Sequence, residues 1–121
     1  MVKIKYVRQP RDAFEETYNV SAGGSVTIAD LTDTSVWGGL IVVFERLEVS
    51  NKSGAMATVT LKKSNNNIRT VVVPNGETVD IAPEVAEAGD KLDITSDQAI
   101  TVNVVKAVIP KDLVSFEVTT E

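Results

Sequence analysis

The chain has 121 residues, carries 12 basic and 17 acidic side chains for a formal net charge of −5, and contains neither Cys nor His. At this length it is expected to be one domain spanning 1–121, able to bury a core without covalent staples. The missing Cys excludes disulfides, thiol catalysis and thiolate metal sites, and the missing His removes the commonest general base and transition-metal ligand. No enzyme activity, catalytic residue, metal or cofactor is therefore expected.

Along the chain the dominant signal is alternation with period two, broken by turn residues, which marks half-buried strands. Val2, Ile4 and Tyr6 alternate with Lys3 and Lys5, where a secretory leader would need a continuous apolar run. Pro10 interrupts this first run, so residues 1–14 read as an extended N-terminal arm or edge strand. Lys3, Lys5, Arg8 and Arg11 all precede the first acid, leaving 8 basic and 17 acidic residues, a net of −9, in the remainder. An acidic body repels phosphate, so nucleic acid is not an expected partner. The basic opening suits an acidic neighbour, a second copy included, or equally supplies solvent-facing gatekeepers on an edge strand.

Glu15 to Val20 and Val26 to Ile28 follow, separated by Gly23-Gly24. Asp30 to Gly39 is the longest irregular stretch, and it holds Trp37. The strongest strand, Leu40 to Ser50, is apolar on both faces in its first half and alternating in its second, as expected of a central strand with one end covered by a loop or partner. Its apolar run is far short of the ~20 residues that span a bilayer, so no membrane association is expected. Asn51-Lys52-Ser53-Gly54 then turns into Ala55 to Lys63, which reads as a hairpin. Asn65-Asn66-Asn67 makes the next reversal, Ile68 to Val73 runs into the turn Pro74-Asn75-Gly76, and Val79 and Ile81 mark another strand. Pro83 to Ala88, closed by Gly89, reads as a single helical turn. Leu92 and Ile94 read as a hairpin with Ile100, Val102 and Val104, and Val114, Phe116 and Val118 form a last strand.

Eight to ten short strands at roughly ten-residue spacing predict an all-β fold, an antiparallel β-sandwich of jelly-roll or immunoglobulin-like topology. Seven acids between Glu77 and Asp97 form a segment of net charge −6, whose spacing fits no calcium loop and reads as a solvated face. Asn19-Val20-Ser21 and Asn51-Lys52-Ser53 match the glycosylation sequon by chance in a chain without a secretory route. Six aromatic residues offer little platform for sugars or single-stranded nucleic acid. Trp37 is either an exposed interface anchor or the cap of an open sandwich end.

Three segments, Val49 to Leu61, Val73 to Ile81 and Ala88 to Val102, resemble the small β-sandwich structural proteins of tailed bacteriophage virions, among them head decoration or cement proteins. The resemblance covers about half the chain and implies a non-enzymatic capsid decoration role in the virion, after synthesis in the host cytoplasm. The implied partner is the major capsid protein or another virion protein, with homo-oligomers also expected. Candidate partner-binding residues are Lys3, Lys5, Tyr6, Arg8, Arg11, Phe14 and Trp37, with Ser115 to Glu121 as a second extended segment. The alternative is a carbohydrate-binding or adhesion β-sandwich module, which requires exposed aromatic rings or a bound cation.

Overall fold

A computed structural model describes residues 2–6, 13–82, 84–111 and 114–118. The strands are β1 (Val2–Tyr6), β2 (Ala13–Val20), β3 (Ser25–Asp30), β4 (Leu40–Asn51), β5 (Ala57–Lys63), β6 (Asn66–Val73), β7 (Thr78–Asp80), β8 (Glu84–Glu87), β9 (Lys91–Ser96), β10 (Ile100–Pro110) and β11 (Val114–Val118), with one helical turn, α1 (Thr34–Trp37). Nine strands build two antiparallel sheets. Sheet I has the order β2-β10-β4-β7, with β8 also on β4, and sheet II the order β3-β9-β5-β6. β1 and β11 pair with each other as a separate two-stranded ribbon.

Because β7 and β8 flank successive halves of β4, sheet I is four strands wide, and the sandwich has the eight strand positions of a jelly roll. Of the two topologies open from sequence, connectivity selects this one. β2–β3, β3–β4, β4–β5, β6–β7, β8–β9 and β9–β10 each pass from one sheet to the other. The chain from Leu40 to Lys63 is therefore not a hairpin, nor is that from Leu92 to Val104. Alternation shows that one face of a strand is buried, but it does not say which sheet the strand joins. β5–β6 is a true hairpin, turned at Ser64 and Asn65 with φ of 52° and 68°, the left-handed pair of a type I′ turn.

Two further sequence expectations are corrected. Residues 84–87 form β8, not a helical turn, because β4 offers them a ladder from Ile41 to Phe44 and their alternation sets Ala86 inward. The helical turn lies instead at Thr34–Trp37, where the Asp33 carboxylate accepts from Ser35 N at 3.1 Å as N-cap. Phe14 belongs to β2, opposite Lys106, rather than to an arm.

The core shows how register is held. In β4, Val42 and Phe44 point inward, and continued alternation would bring Arg46 and Glu48 inside. The register shift opposite Val105/Lys106 leaves Glu45 as an extra residue, so Leu47 and Val49 are buried while Glu45 and Arg46 are exposed. The main core includes Ile28, Leu61, Ile94 and Val102 from both sheets.

The sandwich has two ends. At the near end, β2 begins and β10 finishes, α1 lies between β3 and β4, and Lys111 N donates to Gly39 O at 2.8 Å. At the far end, Asn51 is fully buried. Its Nδ2 donates to Ala55 O (2.7 Å) and Val73 O (2.8 Å), and its Oδ1 accepts from Ser53 N (3.0 Å) and Ser53 Oγ (2.7 Å). That amide joins the crossovers after β4 and β6, and in the folded chain it is closed to glycosylation. Among the described residues no helix is long and apolar enough to cross a membrane.

Candidate functional site

At the near end, where β2 and β3 form the same flank of the two sheets, the sandwich is open. Alternation along β2 turns Phe14, Glu16, Tyr18 and Val20 toward the interior, opposite Lys106, Val104, Val102 and Ile100 of β10. The result is a depression of about 210 Å³ lined by Phe14, Glu16, Leu31, Trp37, Lys106 and Val108, among others. A drug-sized ligand takes ~300–1,000 Å³, so this space suits one or two side chains of a partner. Phe14, in its lining, is 47 % exposed. Trp37 is half-buried and packs on the main core, so it both closes the sandwich end and offers an edge to the groove. Phe14 and Trp37, chosen independently in the sequence, are brought together here.

The floor of the groove holds a polar group that sequence pattern did not single out. Lys106 occupies an inward-facing position of β10, and its Nζ donates to Ile28 O at 3.0 Å and lies 3.3 Å from Glu16 Oε1. Ile28 sits at a register shift in β3, so the bulge turns its carbonyl out of the ladder and the ammonium satisfies it. The Tyr18 hydroxyl donates to Glu16 Oε2. That bond, with Lys106 nearby, holds the Glu16 carboxyl below its ordinary 4.5 despite partial burial. Burial, then the Glu16 carboxylate, push the Tyr18 phenol up to about 12. An inward-pointing charge cluster on an edge strand also discourages indiscriminate strand addition. At the rim, hydrogen bonds from Thr32 lower the exposed Asp30 carboxyl.

The other sequence candidates are placed differently. Lys3, Lys5 and Tyr6 lie in β1, at register positions opposite Glu117, Ser115 and Val114, whereas Arg8 and Arg11 lie outside the described residues. The extended C-terminal segment is β11 up to Val118, with residues 119–121 outside the described residues.

Much of the acidic segment has structural work. Asp80 accepts from Leu47 N and Ala82 N, Asp97 from Thr58 N, and Asp93 from the Thr27 hydroxyl. Glu84 lies 3.8 Å from Lys63 and 3.7 Å from Arg69, and Asp90 lies 3.8 Å from Lys63. Among the described residues, no group of three acids is arranged to hold a metal ion.

The outer face of sheet I carries cross-strand polar rows, Asn19–Thr101–Ser50–Thr78 and Thr17–Asn103–Glu48–Asp80. Sheet II has the row Ser25–Thr95–Thr60–Thr70. A second, wider depression of about 490 Å³ at the far end is lined by Asn19, Ser21, Ser50, Lys52, Ser53 and Thr101 with three small or aliphatic residues, and it presents no aromatic ring.

No family model and no curated protein matches this chain. Among solved structures it is similar to two crystal structures of a pentameric capsid protein isolated from metagenomic phage sequences. Both share 18 % identity and a TM-score of 0.43 over 82 % of this chain, spanning 68 % and 64 % of those chains. Similarity at that level assigns neither partner nor activity here.

Proposed function

We propose that this chain is a non-enzymatic virion structural protein of the capsid decoration or cement type. It stabilises a viral shell by binding the shell surface, with the major capsid protein or another virion protein as partner and self-association as a second contact. The near-end groove carries this proposal: a depression of side-chain size with a largely apolar lining over the Glu16–Lys106 pair, flanked by Phe14 and Trp37, beside the end of the sandwich where β2 begins and β10 finishes. Large aromatic anchors that fill pockets and lose water on docking are the usual centre of a protein interface. The engagement of the acids in caps and ion pairs, together with the lack of His and Cys, supports a binding role over catalysis. A jelly roll hosts many functions, so the weight rests on the groove and not on the fold.

The test is co-sedimentation of the purified protein with particles of its own virus, followed by heat challenge of particles with and without it. Binding that protects the shell supports the proposal, whereas absence of binding, or particles equally stable without the protein, refutes it. The carbohydrate-binding or adhesion alternative would use the far-end depression, whose hydroxyl and amide lining offers hydrogen bonds but no stacking ring. Glycan retention that fails in a Ser50→Ala/Thr101→Ala variant would favour that alternative.

A further inference from the structure

Sheet I has an apolar cluster on its outer face. Ile41, Val43, Ala107 and Ile109 alternate with the inward residues of β4 and β10, yet their exposures are 0, 4, 0 and 3 %. The outer face of a two-layer sandwich meets water, and the polar rows farther along the same sheet follow that rule. Near-complete burial of these four residues therefore requires a third layer, and a single chain is present to supply it. Val85 is the described, partly buried apolar residue packed against the four, but it belongs to β8 of the same sheet and cannot roof them.

The ribbon has the sequence, the tether and the need to be that layer. Val2, Ile4 and Tyr6 stand opposite Val118, Phe116 and Val114, and these positions alternate with Lys3 and Lys5 opposite Glu117 and Ser115. Three residues, 111–113, separate the end of β10 from β11. At ~3.3–3.6 Å per residue they reach about the ~10 Å that separates stacked sheets. A two-stranded ribbon left alone in water is marginal, and it gains stability by laying an apolar face on another layer.

We propose that the β1–β11 ribbon of the same chain is seated on Ile41, Val43, Ala107 and Ile109 as a third layer at the near end, its Lys3 and Lys5 positions left on the face turned away. This goes beyond the proposed function, because the contact is intramolecular and can hold or fail independently of particle binding.

The chain has no Cys, so Ala107→Cys in the full-length protein gives one reporter thiol at the seat. It is expected to react at least ~100-fold more slowly with a thiol reagent than an exposed cysteine, as a site reached through local opening does. That protection should be independent of protein concentration, lost in Ile4→Asp/Phe116→Asp, and retained in Lys5→Asp/Ser115→Asp. A thiol that reacts freely in the unaltered background, or stays protected in a folded Ile4→Asp/Phe116→Asp variant, overturns the proposal. Protection that fades on dilution also overturns it, by assigning the seat to a second copy's ribbon. Should the acidic pair prevent folding, a photo-crosslinking phenylalanine analogue in place of Tyr6 decides. Intramolecular cross-links to residues 41–43 or 107–109 support the seat, and cross-links elsewhere or between chains refute it.

Discussion

Replacing Asn51 by Ala should be among the most damaging single changes in the molecule. The side chain is fully buried, and all four of its hydrogen-bonding positions are used. With Asn51 Oδ1 gone, the single Ser53 Oγ proton can turn to Ala55 O, 3.0 Å away, so the buried Val73 carbonyl bears the principal loss. Leaving such a group unsatisfied costs about 1–3 kcal/mol, and the two bonds from Ser53 add about 0.5–1.5 kcal/mol each. The total, ~2–6 kcal/mol, is a large share of the ~5–15 kcal/mol that a domain has. Urea titration should therefore show a much lower midpoint with an unchanged slope, and the melting temperature should fall by roughly 10–25 °C. Asn51→Asp should be no milder, since it removes both donors and buries a charge. Asn19→Ala, at an exposed sequon position, should stay within about 0.5 kcal/mol of the parent. A loss below ~1 kcal/mol for Asn51→Ala would mean that water or backbone movement replaces these bonds, and the claim that one amide joins the two crossovers would be wrong.

Other expectations follow from the groove and the hairpin. Tyr18 is favoured as the neutral phenol, so its contribution to stability is complete below the ordinary tyrosine value of 10.0 and is lost as pH rises through about 12. Tyrosinate absorbance should show that late titration, and Tyr18→Phe should abolish it. Glu16 is favoured as the carboxylate, so its contribution is present above 4.5 and is lost as pH falls through its lowered value; acid denaturation curves of Glu16→Gln should be correspondingly flatter. Ser64→Asn/Asn65→Gly puts the preferred type I′ pair at the two positive-φ positions and should raise stability by about 1 kcal/mol in chemical denaturation. Phe14→Ala should keep the melting temperature within a few degrees while weakening particle binding at least ~10-fold, the effect of losing an interface anchor.

How much the sequence disclosed depends on the range of the signal. Strand positions were legible because the alternation of Val and Ile with Thr and Lys is local. Even the doubly apolar first half of β4 proved correct, since Val42 and Phe44 meet the main core while Ile41 and Val43 form the outer cluster. Connectivity was not legible, because a turn such as Asn51 to Gly54 looks the same whether the chain returns to its own sheet or crosses to the other. Punctuation misled at 83–88, where Pro and Gly flank a strand, whereas the cap at Asp33 was an available and unused signal for the helical turn. Trp37 was legible as a large aromatic in the longest irregular stretch, and Phe14 only as the end of the expected arm 1–14, which the structure makes part of β2. Lys106 was missed because its inward position follows from an alternation that runs unbroken through β10 while β4 bulges.

The start of β2 and the finish of β10 at one end of the sandwich bear on how the protein can be handled. A tag or fused domain at either terminus adds bulk beside the groove and the ribbon. The turns around Gly23, Gly54 and Gly76 lie at the opposite end, and at each of these glycines an added Cβ would meet nothing within 4 Å. Gly23, Gly54 and Gly76 have positive φ, so peptide epitopes are better inserted beside these glycines than in place of them. Cargo joined there would project away from whatever surface holds the near end. Tension applied through the termini would first load the β1–β11 ribbon, whose outermost rung pairs Val2 with Val118, and then β2 and β10, again adjacent antiparallel strands, so each ladder would peel apart one rung at a time instead of shearing as a unit. The same architecture is thus suited to outward display and poorly suited to bearing load through its ends.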